Sequence, residues 1–382
     1  MFVAGEAVRV QKGADGSSRT GITDLPLHGG TVPRWLFNRM TKLASAISDV
    51  MVMEVGTEEY LMRLADPFWF QALTCVLGFD WHSSGTTTVT CGAIRKSLER
   101  RKDVVMVGGK GRMALRTPEQ IAEVADLNDL SEDLEARLVY VSRMCAKVDN
   151  AAIQDGHSLY HHALAFDDRG NWTVIQQGMS DQSGYARRYQ WNSGSLSRFM
   201  EEPHTAILGL RSDGALDMTS RESENSRKAA VDMVNDGIDH LRRDIVVVGK
   251  DQTTIDDWNG APVKKLHMPR TVNWDALRKA YEFQPRDYEE LLAIRGIGPS
   301  AVRALALTGE LVYGCSPSWR DPVKFSFAVG GKDGVPFPVD CRAMDEAIHF
   351  LEQGVDQARV KKREKLDALM RLRALVPLDL DR

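Results

Sequence analysis

Cysteine is scarce and unorganised in this 382-residue chain: Cys75, Cys91, Cys145, Cys315 and Cys341 show no C-x-x-C spacing and are odd in number. This excludes a four-cysteine zinc or iron–sulfur motif and a fully paired disulfide framework, so a reducing cytoplasm and no cofactor are expected. No stretch approaches the roughly eighteen uninterrupted apolar residues of a membrane span, and the N-terminus lacks the apolar core of an export signal. A cytoplasmic protein without a membrane partner is the expectation. Neither sign of charge dominates, because 49 Lys and Arg face 53 Asp and Glu for a net charge of −4. A histone-like or tail-driven binder is thereby excluded, and any nucleic-acid surface must be local. The segment Gly108-Gly109-Lys110-Gly111-Arg112 follows the apolar run Val104–Val107 but lacks the G-x-x-x-x-G-K-[ST] spacing. It reads as a basic loop for a DNA backbone rather than an ATP site.

What is present is ordinary globular material, 43% hydrophobic and 27% charged, enough for real cores. The pattern predicts a mainly α protein with an inserted antiparallel β region (α+β). Residues 1–24 are Gly/Ser/Asp-rich and read as a flexible leader. Residues 25–130 read as an N-terminal helical domain. Trp35, Leu36, Met40, Leu43, Ala44 and Ile47 repeat at helical spacing, and Asp66 stands as N-cap before Pro67-Phe-Trp-Phe. Residues 131–270 read as a mixed α/β region ending in a linker. Tyr160–Phe166 and Trp172–Gln177 are predicted strands about the turn Asp167-Asp-Arg-Gly-Asn, and Ala229–Arg243 a helix. Residues 271–382 read as a helical C-terminal domain closing in a charged helix over Asp345–Arg373.

Within that last region, Leu291-Leu-Ala-Ile294-Arg295-Gly296-Ile297-Gly298-Pro299 is a helix, a tight glycine hairpin and a second helix from Ser300. Two glycines free of Cβ bulk let backbone N–H groups approach a phosphate, and the following helix directs its positive end to the same point. Such contacts hold a phosphodiester without reading sequence. Gly296, Gly298 and Ser300 are therefore expected to bind DNA, with Lys110, Arg187 and Arg188 as further backbone contacts. A plain Gly-Pro turn between packed helices is the alternative.

The hairpin resembles that of the helix-hairpin-helix glycosylase superfamily, in which a helix, a Gly/Pro-containing loop and an aspartate opening the next helix follow. Here Gly330, Gly331, Gly334, Pro336 and Pro338 precede Asp340. The resemblance implies that Asp340 stabilises the oxocarbenium-like transition state as the N-glycosidic bond of an extruded nucleotide breaks. An ordinary helix N-cap is the other use of this aspartate. Superfamily members that also cut the strand carry a lysine two residues after the last hairpin glycine, and this chain has Ser300. Hydrolysis without a Schiff base is implied, with Asp340 and Ser300 as the catalytic positions. The spacing of forty residues from Ser300 to Asp340 is longer than in compact members.

Over most of its length the chain also resembles a bacterial and archaeal family catalogued as a domain of unknown function (DUF763-like). The residues that carry this are Leu25-Pro-Leu-His28-Gly29-Gly30, Asp66-Pro-Phe-Trp69, Phe79-Asp80-Trp81-His82, Lys147-Val-Asp149-Asn150, Leu159-Tyr160-His161-His162, Gln176-Gln177-Gly178-Met179, Ala186-Arg187-Arg188-Tyr189 and Pro203-His204. Among them His28, Trp81, His82, Gln176, Gln177 and Tyr189 are candidates for a base pocket. The expected function is a DNA glycosylase, working as a monomer on double-stranded DNA that holds a damaged or modified base, for instance 5-hydroxymethyluracil. The early helical block, Asp66–Arg100, would pair with the hairpin half to make its cleft. Two other readings stand beside it: a metal-dependent nuclease centred on Asp149, Asp155 and His161, and a DNA-binding protein without catalysis. No resident metal belongs to the favoured reading.

Overall fold

A computed structural model describes residues 32–78, 84–212, 214–250, 267–324, 353–357 and 362–373, together with His349 and Leu351. The chain is a mixed α/β protein in which an antiparallel sheet lies between two helical layers. The sheet has five strands in the order β1-β3-β4-β5-β6: β1 Val104–Lys110, β3 Ser158–Asp167, β4 Trp172–Ser180, β5 Tyr185–Asn192 and β6 Ala206–Leu208. A second ladder joins β2 Ile153–Gln154 to β7 Leu216–Asp217. The predicted hairpin about Asp167 is present as β3 and β4, with Ala163 paired to Ile175 and Phe166 to Trp172. Asp167 folds its own turn by accepting from the amides of Arg169 and Asn171.

Side chains alternate across each strand, so one sequence serves two cores. Val104, Met106, Ala163, Ala165 and Ile175 pack on α1 Arg34–Ala65, α2 Pro67–Leu77 and α3 Gly85–Leu98 through Met40, Ile47, Leu61, Phe70 and Ile94. Val105, Val107, Leu164, Phe166, Val174 and Trp191 face the other layer. That layer contains α5 Thr117–Asn128, α6 Glu132–Lys147, α7 Glu224–Asp236, α8 Ile238–Lys250, α9 Trp274–Phe283, α10 Tyr288–Ala293 and α11 Pro299–Tyr313. The short α4, Arg112–Leu115, leads from β1 into it. A C-terminal helix, α12 Lys362–Arg373, rejoins the first layer, with Ala368 buried beside α2.

Asp66 caps α2 as predicted, its carboxylate accepting from the Trp69 amide at 2.6 Å. Three expectations change. Val104–Val107 is not the lead into a surface loop but an edge strand, and Gly108, Gly109 and Lys110 continue it. All four of those apolar residues are buried because the sheet is covered on both faces, which erases the period a strand usually shows. The Ala229–Arg243 helix is two helices, broken at Gly237, whose φ of 126° no continuing helix tolerates. The early helical block meets α12 rather than the hairpin: its residues share one core and the hairpin helices the other, with the sheet between. Among the described residues no helix is long and apolar enough to cross a membrane.

Candidate nucleic-acid interface and the cavity beside it

Asp287 starts α10 by accepting from the Glu290 amide at 2.9 Å. The chain then turns through residues 294–298 into α11, which opens with Pro299 at its first position, where a missing N–H costs nothing. Gly298 precedes it, and no side chain caps the first amides of α11. The two glycines do different jobs. Gly296 has φ +98°, and a Cβ there would stand 2.8 Å from Ala276 Cβ and 3.0 Å from Asn273 Nδ2, so the fold requires glycine. Gly298 is extended at φ −136°, with nothing within 4 Å of where a Cβ would be. It is needed by the turn for neither conformation nor packing, and it leaves the approach to the amides open. Of the two, Gly296 alone uses the positive φ that glycine allows. Arg295, Gly296, Pro299 and Ser300 are exposed. A cleft of about 300 Å³ lies here, lined by Thr271, Asn273, Gly296, Gly298 and Ser300 among others.

Behind the turn, the Lys147 ammonium at the end of α6 donates to the carbonyls of Leu292, Ile294 and Ile297. Three protons meet three acceptors, which fixes the hairpin from its inner side. Burial lowers the Lys147 pKa to about 8.

On the far side of the same turn is a cavity of about 1120 Å³, slightly larger than most small-molecule sites. Arg295 and Gly296 form part of its wall, and Lys147 and Arg143 add positive charge. The remaining lining is largely apolar, including Val139, Met144 and Leu159, with Ser142, His161 and His162 as buried polar members. Ser142 Oγ lies 2.9 Å from His162 Nε2, and His162 Nδ1 lies 2.7 Å from Gln176 Oε1. Gln176 Nε2 donates in turn to Asp149, which also accepts from Trp191 Nε1 at 3.0 Å and from His204 Nε2. Asp149 is turned inward because α6 does not end at Lys147 but widens into a π-helical turn, Val148–Ala152. Such turns recur at functional sites. Burial, opposed by the Gln176 hydrogen bond, lowers the His162 pKa, so the ring is neutral near neutral pH.

The residues singled out in the sequence divide sharply. Gly296, Gly298 and Ser300 share the hairpin surface, and Lys110 is exposed with its ammonium 5.6 Å from the Tyr160 ring centroid. Arg187 and Arg188 are not surface groups; both are 0% exposed. Arg187 pairs with Asp155 at 2.6 Å and Asp321 at 2.7 Å. Arg188 donates to Gln71 Oε1 at 2.7 Å and lies over the Phe70 ring. Neither can reach a phosphate, because a strand covered on both faces buries consecutive residues alike. Gln176, Gln177 and Tyr189 are likewise fully buried and do not line the cavity. His28, Trp81, His82 and Asp340 lie outside the described residues.

The nuclease constellation does not assemble. The Asp149 carboxylate is taken by three protein donors, and Asp155 by Arg187, Tyr189 and His157. His161 occupies the opposite face of the sheet from His162, with both ring nitrogens unpartnered among the described residues. No group of three or more His, Cys, Asp or Glu side chains able to hold a metal occurs among them. Ser142 is the residue the sequence reading missed. Its one signal is a polar residue in the buried stripe Leu138, Val141, Cys145 of α6.

A family model described as a protein of unknown function (DUF763) matches residues 21–339, and the chain belongs to that family. No curated protein and no solved structure matches it.

Proposed function

We propose that this member of the DUF763 family is a DNA glycosylase that grips duplex DNA through the hairpin and receives a damaged or modified base in the adjoining cavity. One observation carries the reading: Arg295 and Gly296 belong both to the exposed hairpin and to the cavity wall. A phosphate held on the amides at the start of α11 would therefore stand beside a space able to take the nucleotide attached to it. The cations Arg143 and Arg295 suit that backbone. The apolar lining suits a base removed from its stack.

Chemistry comes from the glycosylase resemblance. Asp340 is the group proposed to stand by the sugar as the N-glycosidic bond breaks, with water as the nucleophile. Ser300, where strand-cutting relatives carry lysine, leaves the abasic strand intact. The substrate is double-stranded DNA, and a modified pyrimidine such as 5-hydroxymethyluracil is the proposed base.

The test is incubation of the full chain with duplex oligonucleotides, each carrying one lesion, with and without EDTA, followed by mild alkali. Alkali-labile sites at one lesion in both conditions are expected. Chelator-sensitive nicking of undamaged duplex, or binding with no product on any lesion, overturns the reading.

A further inference from the structure

The hydrogen-bond chain behind the cavity has a single consistent proton arrangement, and it fixes what the cavity can recognise. A carboxylate only accepts, so the group Gln176 presents to Asp149 is its NH₂. The Gln176 carbonyl therefore faces His162 Nδ1, 2.7 Å away, and that nitrogen must carry the ring proton. In the neutral imidazole Nε2 is then a lone pair, and the Ser142 hydroxyl, 2.9 Å away, donates to it. Ser142 has one proton, and that proton points inward. Towards the cavity the hydroxyl has only lone pairs.

We propose that Ser142 is the hydrogen-bond acceptor that selects the cavity's ligand, and that the ligand is a pyrimidine base presenting an unsubstituted imide N–H. The inference rests on the reading that the cavity receives a base, and adds which edge of the base is read. The apolar walls contributed by Val139, Met144 and Leu159 offer a planar ring its contact area but no direction. Direction must come from the few polar groups, and Ser142 is one whose polarity is fixed from behind. A ligand with a donor at that point gains a bond to an already polarised oxygen. A ligand with a methyl group or a lone pair there leaves a buried acceptor unpaired, which costs more than the bond is worth in water. Gln176 and Asp149 act through His162 and are positioning residues.

The probes are thymidine and N3-methylthymidine, which differ by one donor, titrated into the full chain labelled with ¹⁵N-histidine. The expected spectrum of the free protein has the His162 proton on Nδ1 and an unprotonated Nε2. Thymidine is expected to move the His162 Nε2 resonance on binding, N3-methylthymidine to bind roughly tenfold or more weaker, and Ser142→Ala to abolish that difference. An Nε2–H tautomer, absence of thymidine binding, equal binding of the two nucleosides, or an undiminished preference in Ser142→Ala would each overturn the proposal. The nucleosides alone already test the selection if the variant does not fold. Excision from oligonucleotides is scored separately. Thymidine selection through Ser142 without excision would sink the glycosylase reading alone, and excision without that selection would sink this inference alone.

Discussion

The Lys147 ammonium donates to the carbonyl of Ile297, 3.2 Å away and 150 residues later in the chain. With Leu292 and Ile294 completing its partners, one side chain of α6 sets the shape of a turn that the hairpin's own sequence does not fully determine. Replacing it by Met keeps the apolar stem and removes the donors. A loss of about 1–2 kcal/mol is expected from the unpaired carbonyls, with faster hydrogen exchange at the Ile297 and Gly298 amides and weaker DNA binding. Unchanged exchange in Lys147→Met would show that the turn holds itself.

The two hairpin glycines separate binding from folding. Gly298→Val places its side chain in open space on an extended backbone, so the melting temperature should stay near that of the parent while affinity for duplex DNA drops at least about tenfold by blocked approach. Gly296→Val meets Ala276 Cβ and an unfavourable φ. It should lower stability by on the order of 1–3 kcal/mol. Equal DNA affinity in a folded Gly298→Val would remove the hairpin amides from the interface.

His161 gives the fold a specific acid sensitivity. Burial, with smaller contributions from His162 and Lys110, lowers its pKa to about 3. An unfolded histidine titrates near ~6.5, so between these values the unfolded chain binds the extra proton and stability falls as pH falls, approaching about 1.4 kcal/mol per unit. Above that window the group contributes no slope. Chemical denaturation of His161→Leu should therefore show a flatter loss between pH 6.5 and 4 than the parent. Parallel curves would mean that the imidazole is protonated without penalty.

Asp340→Asn retains size and capping ability but removes the anion. If the proposed chemistry holds, excision should fall by roughly a hundredfold or more, about 3 kcal/mol of transition-state stabilisation, with binding of lesion-bearing duplex preserved. A folded, fully active Asp340→Asn would reduce this aspartate to a cap.

The sequence by itself determined what is local. The Asp66 cap and the turn at Asp167 depend on neighbours within a few residues, and each is where the residue pattern put it; the glycine hairpin stands at the expected residues too, although Lys147 shares in its shape. Which of the two glycines the fold requires was not local: Ala276 and Asn273 stand against Gly296 and leave Gly298 open. Tertiary structure decided the rest, because the deciding contacts join distant segments. Arg187 and Arg188 read as basic surface until the sheet is covered on both faces, when Asp155 and Asp321 from separate loops become the partners of Arg187, Gln71 and Phe70 those of Arg188, and both are removed from any interface. Ser142 reads as an interruption of a helix stripe. Only the packing of α6 on β3, with the π-helical turn carrying Asp149 inward, gives its hydroxyl a direction. Proton placement along such a chain is a property of the whole network, set by one buried carboxylate that can only accept, and no spacing along the sequence encodes it.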